Sequence, residues 1–352
     1  MLVTGAPSIC KLSLAFANNP KKYVLFMTDV AVIGAGLAGC TVARHLNEIA
    51  TIKLFEKSKS PGGRIATRLS CEHQFDHGAQ FFTAKSPGFK KFLTPYVNAG
   101  CLASWVGRFA ELDGAQLIRQ TEWGRSPPHW IGTPTMAGFV EKLSSGLDCA
   151  FNVEVARAEK EKDRWILFDA QGNLLGDYDW IIVTAPAPQT HNLLPNEISF
   201  KTQVGLIKML GCYSLMLGYR HAVNLPFDVA LVKNANISWI SVNSSKPNRK
   251  NFSMLVHSTN RWAEQNMNTD LTEVQEKLFE FTSEILGFNV KFADYVETKR
   301  WRFANSIRQT DQPFFLDRRN QVASCGDWCI RGRVEGAFLS AKKLAVELLK
   351  DV

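Results

Sequence analysis

No stretch of the 352 residues is apolar for long enough to cross a membrane as a helix. Cysteine is sparse and unorganised: Cys10, Cys40, Cys71, Cys101, Cys149, Cys212, Cys325 and Cys329 are scattered without a disulfide framework. Cys325 and Cys329 lie four apart with no second pair, so no metal site is expected. Reduced thiols in a cytoplasmic protein fit this usage. Despite a net charge of +8, there is no run of lysine and arginine and no nucleic-acid motif. The dispersed surplus suits a surface that attracts phosphate-bearing small molecules. Internal repeats and low-complexity segments are absent. The first 28 residues contain no acid and no arginine, only Lys11, Lys21 and Lys22, and no apolar core with a cleavage site. Residues 1–27 read as an N-terminal extension.

What is present begins at Asp29. Val30 to Ile33 is a short apolar run, read as a buried strand. It stops in Gly34-Ala35-Gly36-Leu37-Ala38-Gly39, and a helical pattern continues to Leu46. A second strand, Thr51 to Phe55, ends on Glu56, twenty residues after Gly36. Strand, glycine turn, helix, strand and acid in that register make the dinucleotide-binding arrangement. Gly34 permits the tight turn, Gly36 lets backbone approach a pyrophosphate, and Gly39 lets the helix pack against the strand. The helix N-terminus offers N–H groups to phosphate. Glu56 suits a ribose diol without a 2′-phosphate.

Beyond Glu56, Lys57 to Arg64 forms a turn, Pro61-Gly62-Gly63-Arg64, that presents an arginine beside this site. In Phe75-Asp76-His77-Gly78-Ala79-Gln80-Phe81-Phe82, small residues between aromatics would let backbone lie along a flat ring. Residues 86–130 read as mixed helix and loop, with Trp105, Phe109, Trp123 and Trp130 unassigned. Thr135 to Leu147 has helical spacing. Phe151 to Arg157 and Arg164 to Asp169 alternate as strands. Trp180 to Pro186 reads as a buried strand of the same parallel sheet as the first. Between Lys208 and Ser258 the pattern turns β-rich, with strands at 213–219, 229–232, 237–242 and 252–257 and a polar turn at 243–251. That is the signature of a separate, mainly antiparallel sheet. Leu271 to Leu286 is helical, Gln321 to Ser324 is a strand, and Gly332 to Gly336 opens a last helix.

The first βαβ unit, the Gly62-Gly63-Arg64 turn and the terminal Gly326-Asp327 together resemble the flavin-containing amine oxidase superfamily. Within it, residues 75–83, 257–262, 300–304 and 332–338 are most similar to the renalase-like enzymes, over about residues 28–350. The resemblance implies an α/β plus β fold. A Rossmann-like FAD-binding domain (28–90, 135–200, 300–352) would be interrupted by an inserted substrate domain (91–134, 201–299). It implies noncovalent FAD held by Gly34, Ala35, Gly36, Leu37, Ala38, Gly39, Glu56, Lys57, Gly63, Arg64, Gly78, Ala79, Gln80, Val155, Thr184, Ala185, Pro186, Gly326, Asp327, Val334, Glu335 and Gly336. His77, Gln80, Trp239, Asn243, His257, Trp301 and Arg331 are candidates to line a flavin-centred active site, with no acid or base assigned and no active-site lysine apparent. The activity implied is oxidation of dihydronicotinamide dinucleotide isomers, with O2 as acceptor. A flavin amine oxidase or desaturase acting on a small amine or cyclic substrate, and a non-catalytic FAD-binding protein, are the alternatives. Neither nucleic acid nor membrane is expected as a partner.

Overall fold

A computed structural model describes residues 27–70, 72–124, 126–307 and 309–349. Residues 1–26 of the expected extension, Cys10 and Cys71 lie outside the described residues. The chain divides into two compact units. One comprises the described residues up to Gly63, Leu143–Lys208 and the described residues from Ile307; the other comprises the described residues of Arg64–Lys142 and Met209–Ser306. The sequence placed the boundaries near 90, 134, 200 and 299. The stretch after Arg64 joins the second unit because its polar groups are bonded there. The Arg64 carbonyl accepts the Ala79 N–H at 2.9 Å, and the Asp76 carboxylate accepts from Lys246 and Arg249.

The first unit is a six-stranded sheet in the order Phe315–Asp317, Val322–Ser324, Trp180–Val183, Thr28–Ile33, Ala50–Glu56, Cys149–Phe151. All pairs are parallel except the first, which is an antiparallel edge. Buried on both faces, the central strands Thr28–Ile33 and Trp180–Val183 read as apolar runs such as Trp-Ile-Ile-Val rather than as alternation. The helices Leu37–Leu46 and Val334–Leu349 both bury long apolar stripes in this unit. A three-stranded antiparallel sheet, Arg157–Glu161, Arg164–Phe168 and Leu174–Tyr178, completes it. The expected 151–157 strand is therefore corrected. Cys149–Phe151 joins the parallel sheet, Asn152 turns the chain with φ 57°, and the next strand starts only at Arg157.

The second unit is built on a seven-stranded sheet in the order Tyr295–Asn305, Leu210–Tyr219, Phe252–Ser258, Ile237–Val242, Val229–Lys233, Gly107–Asp113, Gln116–Trp123. One pair, Val229–Lys233 with Gly107–Asp113, is parallel and the others are antiparallel. The helix Leu271–Leu286 covers it, placing Val274, Leu278 and Ile285 in one core with Leu215, Leu217, Ile240 and Val256. Asp270 caps that helix by accepting the Thr272 N–H at 2.8 Å, and Gly287 ends it with φ 74°. Residues 86–130, read as helix and loop, are mostly strand after the helix Pro87–Asn98. The Asp113-Gly114 turn makes a hairpin there, with Gly114 at φ 54°. Among the described residues no helix is long and apolar enough to cross a membrane.

Candidate functional site

In the first unit the glycine turn takes the conformation its residues allow. Gly34 has φ 104°, a region open to glycine. A Cβ on Gly39 would drive into the Gly34 carbonyl and the Thr184 hydroxyl, so the helix packs closer than any side chain permits. A Cβ on Gly36 would meet nothing within 4 Å. Gly36 caps the Leu37–Leu46 helix without a side-chain bond, which leaves the approach to the helix N-terminus clear. This open cradle fits a pyrophosphate.

Glu56 is buried and ties two loops together. Its Oε2 accepts the Ala35 N–H at 2.9 Å and its Oε1 accepts the Ser58 N–H at 2.8 Å. Each oxygen keeps a second lone pair, enough for a ribose hydroxyl. Lys57 is exposed, 3.8 Å from Glu154, and Gly63 packs near the Gly36 Cα. Val155 is buried. The Thr184 hydroxyl lies 3.0 Å from the Ile33 carbonyl and 2.9 Å from that of Gly34, pinning the strand end to the turn. Ala185 receives the Trp328 indole N–H at 3.1 Å, and Pro186 precedes the helix Ala187–Leu193. Gly326 donates to the Ser340 hydroxyl at 3.0 Å and Asp327 is buried beside it. Val334, Glu335 and Gly336 form the first turn of the last helix. Arg331 is exposed and belongs to this unit, and the other candidate active-site residues belong to the second.

Those others meet around the 76–80 loop. The His77 carbonyl accepts from the Ser214 hydroxyl at 2.8 Å and the Trp301 indole at 3.0 Å. His257, in the tautomer protonated on Nε2, donates to it at 3.4 Å. The His77 ring stacks on Trp301 at 5.1 Å, and its Nδ1 is buried without a hydrogen-bond partner. Trp239 is the cross-strand neighbour of His257. It stacks on Phe81 at 5.8 Å, in a ring cluster with Trp123 and His129 whose centroids are 4.0 Å apart. Gln80 accepts at Oε1 from Ser241 at 2.8 Å and donates at Nε2 to the carbonyls of Asp76 and Gly78. Asn243, fully buried, donates to the Gln74 carbonyl at 2.8 Å.

Reading the sequence did not single out the charged group that holds Gln80 and Asn243 in place. Asp76, Lys246 and Arg249 form a buried ion cluster, with Asp76 Oδ2 3.1 Å from Lys246 Nζ and 2.7 Å from Arg249 Nη2. Thr67 and the Met136 N–H bond the other carboxylate oxygen at 2.7 and 3.1 Å. Lys246 and Arg249 sit in Asn243 to Asn251, a segment whose polarity resembles an ordinary surface turn. The signal available was Asp76 itself, an acid between Phe75 and the Gly78-Ala79 pair. Burial alone would raise the Asp76 carboxyl, but Lys246 and Arg249 overcome it and hold the group below the usual carboxylate range. Burial brings the Lys246 ammonium down to about 8, against the pull of Asp76.

Burial also lowers His77 to about 4, helped by Arg68 and Lys299. It lowers His257 to about 4 as well. Both rings are therefore neutral at pH 7. As pH falls below 6.5 the unfolded chain takes up protons at these histidines and the folded chain does not, so stability is intact above that pH and is lost on the way to 4. At most about 3 kcal/mol is at stake per histidine. The urea midpoint should drop steadily between pH 7 and 4.5, with a shallower slope in a His77→Gln, His257→Gln variant. A wild-type midpoint flat across that range would contradict neutral buried rings.

Residues 32–95 match the NAD(P)-binding Rossmann-like domain, and residues 108–349 match the family described as flavin containing amine oxidoreductase. The fold is similar to that of a protein from Exiguobacterium sp. 255-15 provisionally named a protoporphyrinogen oxidase (11% identity, 92% of this chain and 100% of that one, TM-score 0.75). It is also similar to cyclohexylamine oxidase from Brevibacterium oxydans IH-35A (12% identity, 92% and 99%, TM-score 0.66). An oxidoreductase from Methanosarcina mazei is alike to the same degree (13% identity, 90% and 99%, TM-score 0.66). At such identities the likeness is one of fold, whereas the family match spans more than half of the chain. The chain therefore belongs to the flavin-containing amine oxidoreductase family and is an FAD-dependent oxidoreductase.

Proposed function

We propose that this enzyme oxidises dihydronicotinamide dinucleotides reduced at a position other than the usual one, as renalase-like enzymes do, and passes the electrons to O2. The observation that supports it is how the ionisable groups around the 76–80 loop are desolvated and paired. His77 and His257 are held at about 4, Asp76 is committed to two cations, and Lys246 has its three protons engaged. None of these groups is a strong base at pH 7. A substrate that regains aromaticity by losing hydride needs none.

FAD, when bound, supplies the two-electron acceptor for that hydride. The chain's own part is to bind and orient. Gly34 to Gly39 and the helix after them would take the pyrophosphate, with Glu56 on the adenosine ribose and Val155 at the adenine. Thr184 to Pro186, Gly326, Asp327 and the first turn of the last helix would hold the remainder. Lys57, Gly63, Arg64 and Gly78 to Gln80 would meet the phosphates or the isoalloxazine. His77, Trp301, Trp239 and His257 would hold the nicotinamide, the stacked rings matching its flat shape. We place the enzyme in the cytosol, where its described cysteines, all free, stay reduced.

A second reading, an amine substrate, is favoured by the ring cluster of Phe81, Trp123, His129 and Trp239, which could face a neutral amine. Rapid anaerobic mixing separates the two. Fast bleaching of the flavin by minor dihydronicotinamide isomers, with ordinary NADH and simple amines slow, is the expected result. Fast bleaching by an amine with no response to any nicotinamide would move the assignment to the amine. Peroxide should appear when air is readmitted.

A further inference from the structure

Asp76 carries one negative charge and its two partners carry one positive charge each, and all three side chains are fully buried. The other hydrogen bonds of the cations go to neutral groups. For Lys246 these are the Gln80 and Asn243 side-chain oxygens, at 3.3 and 2.9 Å. For Arg249 they are the carbonyls of Gly132, Pro134 and Pro247. The cluster thus holds one positive charge in excess, in surroundings where an uncompensated charge is costly. The face of the Trp105 ring, 5.1 Å from Lys246 Nζ, offsets part of it. Lys246 also fixes a neighbour. With both Lys246 and Ser241 donating to Gln80 Oε1, the amide can point only its Nε2 at the Asp76 and Gly78 carbonyls.

We propose that Lys246 is a positioning residue of the flavin chemistry, locking Gln80 on the 76–80 loop and providing the excess positive charge that favours the flavin once hydride has added a negative charge to it. This rests on the reading that Gly78 to Gln80 lie along the isoalloxazine. Hydride leaves the substrate with both electrons of its C–H bond, so the flavin gains one negative charge and the substrate one positive charge, with no further reactant. A fixed cation beside the loop shifts that balance toward the reduced flavin.

The test is equilibrium reduction of the FAD-loaded protein against a redox dye at pH 7, in wild type, Lys246→Met and Lys246→Arg. Lys246→Met leaves Asp76 paired with Arg249 alone, a neutral pair, and is expected to fold with one FAD per chain. Its ratio of reduced to oxidised flavin should fall at least tenfold at fixed dye potential, which for a two-electron couple is about 30 mV. Lys246→Arg, keeping the charge, should regain most of that loss. A merely structural lysine would not separate the two variants in this way. Unchanged potential in Lys246→Met, or equal loss in both variants, overturns the proposal. Should Lys246→Met fail to accumulate, Lys246→Gln carries the same comparison. Bleaching of the wild type by dihydronicotinamide isomers is scored separately. A potential shift without such bleaching overturns the substrate reading and supports the role of Lys246.

Discussion

Replacing Asp76 by asparagine should cost about 3–5 kcal/mol of folding stability, the loss seen when one partner of a buried ion pair is removed. The reason lies in what stays behind. Lys246 and Arg249 would keep two positive charges in a fully buried setting, with only neutral acceptors around them. Asparagine matches the shape and can still accept from Thr67, so the loss reports charge rather than packing. The measurement is urea unfolding at pH 7. A second change should recover part of the loss: Asp76→Asn with Lys246→Met leaves one buried cation rather than two, and such neighbours couple strongly. The carboxylate's contribution is present above the unfolded carboxylate range and is lost as pH falls through its depressed folded value, so the cost of Asp76→Asn should shrink in strong acid. A cost below about 1 kcal/mol at pH 7 would mean that the cluster is solvated, as surface pairs are.

Valine at Gly36 and valine at Gly39 should fail in opposite ways. Gly36 sits at φ −76°, which any residue adopts, and its Cβ would enter open space. Gly36→Val should therefore fold with a urea midpoint near wild type, yet be purified colourless, because the added methyls occupy the approach to the helix N-terminus. Gly39→Val puts its Cβ into the Gly34 carbonyl and the Thr184 hydroxyl, both held in the core of the first unit. Backbone must move, and overpacking of this kind costs about 1–3 kcal/mol or more. Gly39→Val should be mostly insoluble, or folded with a much lower midpoint. FAD retained by Gly36→Val would remove the pyrophosphate from that cradle. Two variants with identical losses of fold would show that the glycines serve packing alone.

Much of this protein was settled by local pattern. The strand Thr28–Ile33, the helix Leu37–Leu46, the strand ending on Glu56 and the helix Leu271–Leu286 are legible because their signals lie within a few residues: apolar runs, glycine turns, an Asp cap and a Gly stop. The same holds for the β-rich stretch after Lys208. The hairpin Gly107–Trp123 was harder to read, since the exposed strand Gln116–Trp123 lacks the alternation that a half-buried strand shows. The 151–157 segment misled for a related reason: its alternation is real, but Asn152 breaks it with a left-handed turn.

Tertiary structure alone decided the chemistry of the loop. His77, Ser214, His257 and Trp301 converge on one carbonyl from positions up to 224 residues apart. Lys246 and Arg249 reach Asp76 across 170 and 173 residues. A lysine in Asn-Ser-Ser-Lys-Pro-Asn-Arg looks solvated in the sequence, because whether a charge is buried depends on what packs over it, and that depends on the whole sheet. By itself the sequence determined the nucleotide turn and the central strands of both sheets and, through the family resemblance, the cofactor. Only the fold could decide which charges are dry, because burial and the partners that offset its cost are set by residues far apart in the chain.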